Sequence, residues 1–383
     1  MSSRAAREPV AETPLSAARR LIVKIGSALL VSEPSGRLRQ RWLAALSEDV
    51  AALRAGGTEV AIVTSGAIAV GRNELGLDRR TLRLEEKQAA AAAGQIRLAH
   101  AWREALARHR LKVAQILLTP GDTEARRRHL NARNTVETLL RLGVVPVINE
   151  NDSVATEEIR FGDNDRLAAR VAQMISADTL VLLSDIDGLY SADPRRVKDA
   201  AFLEEVSEIT PQIEAMAADA APGLSSGGMV TKIAAAKIAT RAGCRVVIAD
   251  GRKTHSLSTV GIRGRCTVFL PHTTPITARK RWIAGAVTTA GTITVDDGAA
   301  GALRQGKSLL PAGVTAVDGA FERGDAVIVR SRDGRRIGSG LSAYSADDAR
   351  LILGHKTREI EALLGYRGRD EMIHRDDLVL DHG

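Results

Sequence analysis

The chain has 383 residues, 26% charged and 44% hydrophobic, which excludes a fibrous or disordered protein and leaves room for two or three domains with a sizeable core. Its net charge of +8, carried mainly by Arg, suits anionic ligands such as nucleotides or RNA, and equally a solvated basic surface. No apolar run approaches a membrane span, and Cys244 and Cys266 have apolar neighbours and no metal-ligand spacing, so buried free thiols in a reducing, cytoplasmic compartment are expected.

Residues 1–18 are rich in Ala and Arg but hold Glu8, Glu12 and Pro14, which predicts a disordered tail rather than a signal peptide. Leu21 to Ile25 reads as a strand ending in Gly26-Ser27. Lys24 interrupts that apolar run. It is either an edge residue facing water or a buried cation with an anionic partner, and Gly26, which lets the backbone come close to a ligand, favours the second. Trp42 to Ala55 has helical periodicity and stops at Gly56-Gly57. The strand Val60 to Val63 runs into Thr64-Ser65-Gly66-Ala67 and a helix of small residues. Free amides plus a hydroxyl make that turn an anion cradle; an ordinary strand-to-helix cap looks the same. A long Ala-rich helix over Leu82 to Ala107, with Gly94 at its middle, a strand over Val113 to Leu118 and an Arg-dense helix over Thr123 to Leu142 follow.

Gly143 to Ala172 organises the chain. The apolar run Val144 to Ile148 predicts a buried strand that breaks into the polar loop Asn149-Glu150-Asn151-Asp152. Gly162-Asp163-Asn164-Asp165 then opens an amphipathic helix with Leu167, Ala168, Val171 and Ile175 on one face. Two polar clusters therefore sit at a strand end and a helix start, where α/β proteins bind ligands. Asp163 and Asp165 could hold Mg²⁺ or a cationic group, and the helix amides an anion, although helix caps and turns use the same residues.

Thr179 to Leu183 is a strand ending in Ser184-Asp185, where a base or ribose could rest. Gly223 to Thr240 feeds a Gly/Ser loop into a helix with Lys232 in its first turn. Converging amides and one lysine suit a phosphate chain, yet this is no Walker A loop, because Met229 follows Gly228. Cys244 to Ala249 reads as the last strand of this part. Repeated strand and helix imply an α/β three-layer sandwich with a mainly parallel central sheet. His255 to Lys280 loses that regularity and reads as a boundary. Short β runs at Ile293 to Val295, Val314 to Val317, Ala326 to Arg330 and Ile337 to Leu341, then a helix from about Ser345, predict a small β-rich domain.

The stretches VKIGSALL, IVTSGAIAVGR, VVPVINENDSVA, RFGDNDRLAA, LLSDIDGLYSADPR and GLSSGGMVTKIAAA resemble the amino-acid kinase family, and GKSLLPAGV from Gly306 to Val314 resembles a PUA domain, a module named for RNA-modifying enzymes. Within that family, the pairing of the two domains is similar to the enzymes that phosphorylate the γ-carboxylate of L-glutamate in the first step of proline biosynthesis. The resemblance implies a kinase domain over 19–275, a linker at 276–289, a PUA domain over 290–368 and a tail at 369–383. It implies ATP and Mg²⁺, with the metal held mainly by ATP, feedback by proline, and a homodimer or homotetramer. Lys24 and Lys232 would grip the transferring phosphoryl group and Asp165 would orient both. Ser65, Asn149, Asp152 and Asn164 would hold glutamate. Ser184, Asp185, Ser226, Gly227, Gly228, Met229, Val230 and Thr231, with the two lysines, would line the ATP site. Ser27-Ala28 and Ser184 depart mildly from the family's usual Thr-Ser and Thr, and Arg160 stands where Lys is common.

Two rivals remain at this point. One is another amino-acid or carbamate kinase. The other is an RNA-binding protein using the basic charge and the PUA-like tail, although that tail's β part has only Phe321 and Tyr344 as stacking platforms.

Overall fold

The computed structural model describes residues 13–32, 35–77, 81–154, 164–218, 228–262, 264–284 and 289–381. Asp163, Ser226 and Gly227 of the sequence reading lie outside these residues, as do residues 1–12 of the expected tail. The chain divides into two compact units, residues 1–123 with 133–274, and residues 124–132 with 275–383.

The first unit is built on an eight-stranded sheet. Its strands are β1 (Arg20–Ile25), β2 (Glu59–Val63), β3 (Val113–Leu118), β4 (Val145–Glu150), β5 (Thr179–Ser184), β6 (Glu205–Val206), β7 (Arg245–Asp250) and β8 (Cys266–Phe269), in the spatial order β6-β8-β7-β5-β1-β2-β4-β3. Every pairing is parallel except β7 with β8. The central strands are continuous apolar runs because helices cover both faces, and β4 and β5 are buried along their whole length. Leu21, Val23 and Ile25 of β1 join Val60 and Ile62 of β2 and Trp102 in one core cluster. Burying each such side chain contributes about 1.5–3 kcal/mol. From β1 the chain proceeds to β2 and β4 on one side and returns to β5 and β7 on the other, so β1 is the switch point at which such sheets bind ligands beyond the carboxyl ends of their strands.

Five helices matter for the site: α1 (Gln40–Ala55), α2 (Ala67–Glu74), α3 (Leu84–Ala107), α4 (Asn164–Met174) and α5 (Met229–Arg241). The crossing of α2 and α3 is tight enough to need glycine for space. A Cβ on Gly71 would lie 1.8 Å from the Ala90 carbonyl oxygen, and one on Gly94 1.9 Å from that of Ala67.

The second unit is a five-stranded sheet of β9 (Gly291–Val295), β10 (Val314–Gly319), β11 (Ala326–Ser331), β12 (Arg336–Leu341) and β13 (Leu378–Leu380), ordered β10-β9-β11-β12-β13. Ser345 caps the helix Ala346–Ile352, its hydroxyl accepting from the Asp348 N–H at 3.2 Å.

Three expectations need correction. The irregular stretch after His255 contains β8, which joins the main sheet antiparallel to β7 and parallel to β6, so Cys244 to Ala249 is not the last strand. Asn149 and Glu150 end β4 as buried residues rather than opening a loop. Both ends of the chain carry packed residues where tails were expected: Leu15 and Ala18 enter the main core, Met372 and Ile373 are fully buried in the second unit, and Leu378–Leu380 pairs with β12. Isolated apolar pairs between charges have no period from which burial can be read.

Candidate active site

Lys24 is the fifth residue of β1, buried between β2 and β5 and registered with Val63 and Leu182. Lys232 lies in the first turn of α5, also buried. Both meet Asp165 near the start of α4. Lys24 Nζ is 2.6 Å from Asp165 Oδ1 and Lys232 Nζ 3.3 Å from Oδ2, while the Thr231 hydroxyl lies 2.9 Å from Oδ2. Three segments distant in sequence thus converge on one carboxylate that is 1% exposed. Burial would push the Asp165 carboxyl up, but the ammonium groups of Lys24 and Lys232 and the Thr231 hydroxyl outweigh it and hold it at about 2. Two cations against one anion leave this cluster with a surplus positive charge, the condition for holding a phosphoryl group.

Gly26 and Gly228 both have negative φ, so neither is required by its backbone. Among the described residues, a Cβ on Gly26 would meet only Lys24 Nζ, at 3.9 Å, and one on Gly228 would meet nothing within 4 Å. Neither α2 nor α5 has a side-chain cap or an acid in its first turn, so their amides stay open to anions. Gly66, at φ 101, does need glycine, because it turns the chain from β2 into α2.

A second network adjoins the first through Asn164, the residue before Asp165. Asn164 Nδ2 faces the Thr64 carbonyl at 2.7 Å, the Ser65 hydroxyl at 2.7 Å and Asn149 Oδ1 at 3.0 Å. Asn149 Nδ2 donates to Gln95 Oε1 of α3 at 2.7 Å, and Trp102 Nε1, also of α3, donates to the Thr64 hydroxyl at 3.3 Å. Asp152 begins a short 3₁₀ turn, Asp152–Val154, after β4. Burial pushes its carboxyl up to about 6, with no counter-charge among the described residues. On the far side of β1, the Ser184 carbonyl accepts from the Gly251 amide at 2.7 Å, and the Ser184 hydroxyl lies 3.2 Å from the exposed carboxylate of Asp185.

Of the residues expected from sequence, Lys24, Thr231, Lys232 and Asp165 form one cluster, Ser65, Asn149 and Asn164 a second beside it, and Ser184 and Asp185 end a neighbouring strand. Gln95 was missed. Its signal was a polar residue at the spacing of Ala91, Leu98 and Trp102, on the buried face of an otherwise apolar helix stripe.

A parallel sheet that gathers a lysine-carboxylate-lysine cluster at the carboxyl ends of its strands is the frame of a ligand-binding α/β protein. The family model of the amino acid kinase family matches residues 19–250, and that of the PUA domain residues 291–364. The chain belongs to the amino acid kinase family. A protein named glutamate 5-kinase from Paramagnetospirillum magneticum is 63% identical over 369 residues, covering 96% of this chain and 100% of the relative. Another of that name, from Rhodospirillum rubrum, is 61% identical over 360 residues, covering 94% of this chain and 96% of the relative. Among solved structures, UMP kinase from Ureaplasma parvum aligns with a TM-score of 0.45 and 17% identity, covering 66% of this chain and 98% of that one.

Proposed function

We propose that this chain transfers the γ-phosphoryl group of ATP to the γ-carboxylate of L-glutamate, releasing ADP and L-glutamyl 5-phosphate. The observation that carries the reading is the meeting of Lys24 and Lys232 on Asp165, in a chain 63% identical to a glutamate 5-kinase across that relative's full length.

The nucleophile has a solution pKa of about 4.3 and is already ionised at neutral pH, so no general base is required. A carboxylate oxygen attacks the γ-phosphorus as the bond to the β-phosphate oxygen breaks, and ADP departs with that electron pair. The protein's task is to bring two anions together and stabilise charge spread over the moving group. Lys24 and Lys232, aligned by Asp165 and Thr231, supply that positive charge. Ser184, Asp185 and the 226–232 segment are the ATP side, and Ser65, Asn149, Asp152 and Asn164 the glutamate side. Mg²⁺ would be held mainly by the ATP phosphates and water, and there would neutralise phosphate charge.

The same reading carries feedback inhibition by proline, a homo-oligomeric state and a cytoplasmic location. Glutamate-dependent ADP release with Mg²⁺ and ATP tests it, with hydroxylamine trapping the acyl phosphate and proline added as inhibitor. Faster turnover with aspartate, acetylglutamate, carbamate or UMP than with glutamate would reassign the substrate.

A further inference from the structure

Two buried side-chain amides in the first unit each leave one atom without a partner among the described residues. Gln95 is 9% exposed, and its Oε1 accepts from Asn149 Nδ2 at 2.7 Å. The backbone sets this orientation: the Glu150 N–H donates to Asn149 Oδ1 at 2.9 Å, and Asn164 Nδ2 reaches the same oxygen at 3.0 Å. Asn149 must therefore present nitrogen to Gln95, and Gln95 oxygen to Asn149. That leaves Gln95 Nε2 buried with no hydrogen-bond partner among the described residues, and at the other end of the relay Asn164 Oδ1 in the same condition. Buried donors and acceptors are rarely left unpaired, so partners that arrive with a ligand are expected.

The leftovers are one donor and one acceptor in a single network, the complement of a carboxylate and an ammonium. The turn that carries the uncompensated carboxylate of Asp152 packs against α3, the helix of Gln95. Lys24 and Lys232, aligned by Asp165, are assigned to the phosphoryl group, so neither is left to meet the α-carboxylate of a bound amino acid.

We infer that Gln95 reads the α-carboxylate of the substrate: Nε2 donates to one of its oxygens, while Asp152 and Asn164 Oδ1 take the α-ammonium. The inference rests on an amino acid being the phosphoryl acceptor. Two variants separate this role from simple support of Asn149. Gln95→Glu keeps an oxygen facing Asn149 but replaces the donor with an anion, whereas Gln95→Met removes both. Steady-state kinetics at pH 8, with glutamate and ATP varied separately, read the outcome beside thermal melts that confirm folding. The expected result is a glutamate KM raised at least about tenfold in both variants, more in Gln95→Glu, with kcat and the ATP KM within about twofold of the parent. An unchanged glutamate KM in either folded variant overturns the inference, as does greater damage in Gln95→Met than in Gln95→Glu. Absence of any glutamate-dependent turnover in the parent protein overturns the kinase reading itself, and this inference with it.

Discussion

Asp165 holds two ammonium groups on one carboxylate, and that sets its pH behaviour. Burial opposes its charge, but Lys24 and Lys232 prevail and its carboxyl titrates at about 2. A carboxyl depressed in the folded state contributes stability above its ordinary value of 3.8, and loses it as pH falls through about 2. Between pH 5 and 9 it stays ionised. Lys24→Ala and Lys232→Ala should each lower kcat by about 10²–10³-fold, the scale of losing an electrostatic contact made in the transition state; near-normal kcat in both folded variants would remove the lysines from the chemistry. Asp152 runs the other way. Burial raises its carboxyl to about 6, so the folded state holds the proton more tightly than the unfolded chain, and stability falls as pH rises from about 4 through 6. Asp152→Asn should therefore raise Tm at pH 8 while sharply raising the KM for glutamate, because the ammonium loses its counter-charge. In the parent protein the glutamate KM should climb as pH drops below about 6. A flat profile from pH 5 to 8 would count against the ammonium role.

At the scale of elements, the α2–α3 crossing couples packing to the site. Gly94 touches the Ala67 carbonyl at the start of α2, directly after the Ser65 turn, and is followed by Gln95. Gly94→Ala would drive a methyl group to 1.9 Å from that oxygen, so the helices must separate. Overpacking of this kind costs about 1–3 kcal/mol or more, and Tm should fall by roughly 5 °C. The glutamate KM should rise with it, since α2 and α3 present Ser65 and Gln95. Thermal melting beside kinetics checks both; a stable variant with normal KM would show that the helices slide apart without disturbing the pocket. The two cysteines take no part: burial pushes both thiols up, Cys244 furthest, which keeps them protonated and inert.

At the scale of the whole molecule, the units have separate apolar cores with no residue in common. Every side chain assigned to the site belongs to the first. Ligands that bind only the folded first unit stabilise it by about 2.7 kcal/mol at a hundred times Kd. Calorimetry with saturating glutamate, Mg²⁺ and a non-hydrolysable ATP analogue should raise the melting of that unit and leave the heat absorbed by the second at its original temperature. A single transition that moves as one would show thermodynamic coupling instead.

Much of this protein was legible locally. Apolar runs reported the strands from β1 to β5 because a parallel sheet buries both faces, and polar residues at their ends marked the ligand side. Pairing in the tertiary structure decided the rest. Only it placed Lys24 and Lys232 on opposite oxygens of one carboxylate, joined Asn164 to Thr64 across a hundred residues, and admitted β8 as an antiparallel strand. Gln95 hid in an Ala-rich helix because an orphaned donor exists only once every other amide in its network has been oriented. Periodicity reports which way a residue faces; it does not report what is missing in front of it.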